Sequence, residues 1–244
     1  MRPERPRAHT SGSPLSKREQ RVQRLGQRMM RGAEVRPEEE LKQSQDVLAW
    51  AHRNKSPDSS FSVKAMIDVA DQLSRQDRAS DEVALREQIV TALRGTLGPE
   101  DGSTLTAELR LATCLIRLGH HEDAGPLLAH VVDGRVLAHG REDPETLVAM
   151  AWQANVSKKL GHLDHARALQ EEILARYVSI GRGESAEALL AALNLATTLT
   201  ELHEVDQASQ LVRFVLNVRL TTLGPDDPKT VDVQELLASL SRPT

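Results

Sequence analysis

Leu97-Gly98-Pro99-Glu100-Asp101 and Leu223-Gly224-Pro225-Asp226-Asp227 are near-copies of one loop, 126 residues apart. That separation is three times 42, and stepping by 42 supplies the missing copies. Gly98 leads to Gly140 and Gly224, with Gly181 one residue early in the copy between them. Ala112 leads to Ala154, Ala196 and Ala238, and backwards to Ala70; Ala124 leads to Ala166 and Ala208. The pair Val131-Val132 returns as Ile173-Leu174 and Val215-Leu216, and earlier as Ile89-Val90. A register held at so many positions without a gap marks a repeat array.

Within one unit the period is helical. Leu105, Leu109, Ala112, Leu115, Ile116 and Leu118 recur at steps of three and four residues, and Gly119 ends that helix A. Ala124, Leu127, Leu128, Val131, Val132 and Val136 form a second helix B that ends near Gly140. Asp143-Pro144 then opens the next helix, since proline suits the first helical turn. The alanines at 112 and 124 and their copies fall where helices A and B must approach closely, so a larger side chain there would overpack. A lone helical hairpin cannot bury its apolar stripe, and stacked hairpins do so. The expected fold class is all-α, a right-handed solenoid of helix-turn-helix units.

The expected organisation is a disordered basic tail at 1–15, N-terminal helices packed on the array at 16–55, and the solenoid at 56–240. Its units are 56–97, 98–139, 140–181 and 182–223, followed by a capping helix at 225–240. The first unit is degenerate: Ser56 replaces the loop glycine, and Asp77 stands where Gly119, Gly161 and His203 stand in later units.

At this register the residues resemble a known family. Gly140-Arg-Glu-Asp-Pro144-Glu-Thr146-Leu147 and Asn194-Leu195-Ala196 look like the 42-residue tetratricopeptide repeats of kinesin light chains and their bacterial relatives. The resemblance covers about residues 56–240. It implies a non-catalytic scaffold that binds a peptide segment or partner protein on the concave face, which helix A lines. At the groove-facing steps, unit one holds Lys64, Asp68, Asp71 and Arg75, and unit two Thr106, Arg110, Thr113 and Arg117. Unit three holds Trp152, Asn155, Lys158 and Lys159, and unit four Asn194, Thr197 and Glu201. The partner-binding set is read as Arg110, Thr113, Arg117, Trp152, Asn155, Lys158, Lys159, Asn194, Thr197 and Glu201. Its basic middle suits an acidic peptide or a C-terminal carboxylate.

Composition narrows the alternatives. The chain has 244 residues, 39% of them hydrophobic and only 2% aromatic, so aliphatic side chains must fill the core. No apolar run approaches the roughly 18 residues of a membrane span, and the first thirty residues lack the apolar core of a signal peptide. A cytoplasmic protein is the simplest expectation. Residues 1–32 carry nine Lys and Arg against two Glu, a net of +7, which leaves −11 for the remainder. A helix at 16–31, with Val22, Leu25 and Met29 on one side, is therefore an alternative contact for nucleic acid, in a regulator that senses a peptide or protein. Homo-oligomerisation through the apolar ends of the array is a further alternative. No catalytic residue, cofactor or metal is expected: there is no P-loop or nucleotide fingerprint, Cys114 falls among core positions as a structural thiol, and the His120 and His162 clusters read as polar turns.

Overall fold

A computed structural model describes residues 37–240, which fold as ten helices with no strand among them. The expected tail at 1–15 and the basic helix at 16–31 lie outside the described residues. The helices are α1 Pro37–Asn54, α2 Ser60–Arg75, α3 Ala79–Thr96, α4 Gly102–Arg117 and α5 His121–His139. They continue as α6 Pro144–Lys159, α7 Leu163–Ser179, α8 Ala186–Glu201, α9 Val205–Thr222 and α10 Pro228–Leu240. None is long and apolar enough to cross a membrane. The chain divides into two compact units, one ending at Gln72 and one beginning at Leu73.

In the N-terminal unit, Trp50 of α1 meets Phe61 of α2 edge to face, with ring centroids 5.5 Å apart. Gln72 Nε2 donates to Glu40 Oε2 at 3.0 Å. Leu41, Ala51, Val63, Met66 and Val69 are buried.

From Leu73 onward each helix packs on its chain neighbours, A on B within a repeat and B on the next A between repeats. The alanines chosen by the register are buried: Ala112, Ala124, Ala166 and Ala208 fully, and Ala154 and Ala196 nearly so. Ala238, on α10, is exposed, and no helix follows α10 among the described residues. At Gly134 a Cβ would lie 2.8 Å from Leu105 Cδ1 and 3.0 Å from Glu100 Oε2, so those side chains of the preceding segment would have to shift to admit one.

The 42-residue step also sets the helix ends. Asp101 Oδ1 accepts from Ser103 N at 2.8 Å, Asp143 Oδ2 from Glu145 N at 2.9 Å, Ser185 Oγ from Ala188 N at 3.2 Å and Asp227 Oδ1 from Lys229 N at 2.9 Å. These side chains satisfy amides that the first helical turn leaves unpaired. Each A–B turn closes through a left-handed residue, with φ of +54° at Asp77, +81° at Gly119, +80° at Gly161 and +64° at His203. At the last of these, Glu204 N donates to Leu199 O and His203 N to Thr200 O, the paired bonds that end a helix in this way. Glycine adopts that conformation at little steric cost, whereas a side chain with a Cβ is disfavoured. His203→Gly is therefore expected to stabilise the array by about 0.5–1 kcal/mol. Asp77→Gly should gain less, because aspartate tolerates this region and Asp77 lies 3.7 Å from Arg117. Urea unfolding of the two variants beside the parent measures both; a destabilised His203→Gly would contradict the assignment.

Candidate binding surface

Helices α4, α6 and α8 are the A helices of three successive repeats. Steps of four, three and four residues trace one row along each. The row is Thr106, Arg110, Thr113 and Arg117 on α4; Val148, Trp152, Asn155 and Lys159 on α6; and Leu190, Asn194, Thr197 and Glu201 on α8. Lys158 sits beside this row.

The structure brings five of the expected residues together. Asn155 and Lys158 from α6 and Asn194 from α8 line one small pocket, with Gln170 and Ile173 of α7 in the same wall. Lys158 Nζ donates to Thr197 Oγ1 at 3.0 Å and lies 3.4 Å from Glu201 Oε1. Thr197 Oγ1 in turn donates to Asn194 O at 2.7 Å. These bonds tie α6 to α8 through side chains one repeat apart. Trp152 is half-buried, and Lys159 is exposed.

The α4 residues stand apart from that pocket. Arg110 is exposed, and Thr113 Oγ1 donates to Arg110 O at 2.9 Å. Arg117 faces the preceding repeat: its guanidinium donates to Glu82 of α3 and lies 3.6 Å from Cys114 Sγ. Glu82 is 2% exposed and also accepts from Arg86 Nε at 2.9 Å. Cys114 is buried, donates to Ala79 O at 3.4 Å, and burial pushes its thiol pKa up. The expected basic middle is thus more nearly neutral than its composition implies. Glu82 offsets Arg117, and Glu201 offsets Lys158.

Three features of this surface escape a reading based on charge and asparagine alone. Val148 and Leu190, 44% and 57% exposed, occupy the same register step on α6 and α8 and give the row an apolar end. Gln170 is buried where the neighbouring repeats carry Leu128 and Val212, and its Oε1 has no hydrogen-bond partner. Ala151 lines the pocket at the step held by Leu109 and Leu193. Each is a departure from the repeat, which is the signal that points to it.

Residues 188–229 match the tetratricopeptide repeat family. No curated protein matches the sequence. A solved protein from Podosopora anserina, described as a kinesin light chain with nearly identical TPR-like repeats, is 21% identical, with 84% of this chain and 97% of that one aligned at a TM-score of 0.71. BtubC (BKLC) from P. vanneervenii is 16% identical over 85% of this chain and 84% of its own, at 0.67. MamA from Desulfovibrio magneticus RS-1 is 14% identical over 85% and 98%, at 0.62. At these identities the likeness is one of fold, and it agrees with the 42-residue step, the Schellman-type turns and the consecutive helix packing. The chain therefore carries a tetratricopeptide repeat at residues 188–229, within an all-helical array that folds like the repeats of kinesin-light-chain-like proteins.

Proposed function

We propose that the protein is a non-catalytic scaffold whose A-helix face binds a peptide segment of a partner protein. The observation that carries this reading is the convergence of Asn155, Lys158 and Asn194 from two successive repeats on one pocket. Amide side chains there offer both donors and acceptors to an extended backbone, whose own groups need partners once water is excluded. The row offers a graded surface. Val148, Leu190 and the half-buried Trp152 suit an apolar side chain, and the exposed Lys159 suits an acidic one at the opposite end. Tetratricopeptide proteins as a class bind protein partners, which supports the general role.

The test uses residues that do not hold the array together. Arg117 is unsuitable, because replacing it removes a partner from the buried Glu82. Asn155→Ala with Asn194→Ala removes two amides that are only partly buried. A hydrogen bond contributes about 1 kcal/mol, so losing two should weaken a captured partner roughly tenfold or more. Affinity capture from the native organism identifies the partner, and isothermal titration then compares parent and double variant. A partner bound equally by both, with unchanged circular dichroism, would overturn the proposal.

A further inference from the structure

The pocket between α6, α7 and α8 lies where the third repeat departs from its two neighbours at two positions. Ala151 replaces the leucine of Leu109 and Leu193, and the missing side-chain carbons leave a space of about 30 Å³. Gln170 replaces the aliphatic side chains of Leu128 and Val212, both fully buried. A glutamine 4% exposed whose Oε1 has no partner is costly. Its amide therefore favours a ligand group, or solvent, that supplies the missing bond.

The chemistry of the walls selects among ligand groups. Lys158 is the cation of the pocket, and Glu201 lies 3.4 Å from its ammonium. An incoming carboxylate would therefore meet a charge already offset, beside the acceptor oxygen of Gln170. A primary carboxamide fits better. Its N–H donates to Gln170 Oε1 once that side chain, whose oxygen is shielded from solvent as it stands, turns toward the pocket, and its oxygen accepts from the Asn155 or Asn194 amide or from the remaining N–H of Lys158. Ile173 and Ala191 give the methylene stem an apolar wall.

We propose that this pocket is a specificity subsite for the carboxamide of an asparagine or glutamine side chain in the bound peptide. The assignment rests on the groove reading above and names which side chain enters at the third repeat.

The probes are N-acetyl-glutamine amide, N-acetyl-glutamate amide and N-acetyl-leucine amide, titrated into isotope-labelled full-length protein. The readout is the side-chain amide resonances of Asn155, Gln170 and Asn194. Affinity in the millimolar range is expected for so small a ligand. The glutamine compound should shift these signals saturably, with the glutamate and leucine compounds bound at least about fivefold more weakly, because unpaired polar groups penalise the wrong side chain. Ala151→Leu and Gln170→Leu, which install residues the other repeats already carry, should each abolish the shifts while keeping the helical spectrum. No saturable shift in the parent would mean that solvent alone fills the pocket, and would overturn the assignment. Equal binding of glutamate, or binding that survives Ala151→Leu, would overturn it as well. If the free amides fail while Asn155→Ala/Asn194→Ala still loses the partner, only the subsite is wrong. If the amides bind while that double variant keeps its partner, only the groove reading is wrong.

Discussion

Replacing Arg86 by leucine is expected to destabilise the array by about 3 kcal/mol, whereas replacing Glu82 by alanine in the same chain restores most of that loss. The reason lies in the register. Positions 82 and 86 carry Ala124 and Leu128 one repeat later, both 0% exposed. In α3 that apolar pair is an ion pair instead, with Arg86 3% and Glu82 2% exposed. Arg86 Nε and Nη2 both lie 2.9 Å from Glu82 Oε1, and Arg117 holds Oε2. Removing Arg86 strands one carboxylate oxygen in a dry interior, and an uncompensated buried charge typically costs about 3–5 kcal/mol. The lower figure applies because Arg117, a third exposed, still holds the other oxygen. Glu82→Ala with Arg86→Leu recreates the pair found in the second repeat, so the double variant should lie within about 1 kcal/mol of the parent or above it. Urea midpoints give the global difference. Hydrogen exchange of α3 and α4 shows where it acts, since repeat arrays unfold in parts. A double variant no more stable than Arg86→Leu would show that the pair is not the source of the loss.

Arg117 shows where sequence periodicity stops being informative. The helical step puts it among the groove-facing positions of helix A, and in the structure its guanidinium donates to Glu82 of the preceding repeat. Its partner lies 35 residues earlier, on a different helix of the preceding repeat. Periodicity assigns a side chain to a face; it does not say which side chain from a neighbouring repeat reaches that face. The same holds for Lys158 and Thr197, 39 residues apart. What the register does carry is the set of backbone requirements. Asp77 and His203 stand in for glycine in the sequence and have positive φ in the structure. The alanine series 124, 166 and 208 also contains a signal of another kind, because one step back it lands on Glu82. A carboxylate at a core step demands a cation within reach. Gln170 at a leucine step makes the corresponding demand for a hydrogen bond. Core positions, which repeat closely, are therefore legible from one chain. The binding surface is legible mainly where the repeat breaks.

Glu108 is the second buried carboxylate at a core step, and it makes stability depend on pH. It is fully buried at the position of Met66, Met150 and Ala192. Arg94 Nε donates to its Oε1 at 2.8 Å, and His130 Nδ1 lies 2.6 Å from its Oε2. His130 Nε2 is also 3.3 Å from Glu100 Oε1. The hydrogen bond to Glu108 raises the His130 pKa above its ordinary value, against a smaller opposing effect of burial. Arg94→Ala with His130→Ala leaves the carboxylate buried without either cation, and should cost about 3–5 kcal/mol at neutral pH. His130→Gln alone isolates the pH effect. A histidine whose folded pKa is raised contributes stability in full below its unfolded pKa of about 6.5, and loses it as pH rises through the folded value. The gap in urea midpoint between parent and His130→Gln should therefore be widest below about pH 6.5 and narrow on the alkaline side. Glu108→Met, which copies the first and third repeats, should remove most of that dependence, the smaller part owed to Glu100 remaining, and leave Arg94 and His130 at the rim, where they are 46% and 32% exposed. A gap that widened with rising pH would mean that His130 is held neutral, and the hydrogen bond to Glu108 would then have to run through a different protonation state.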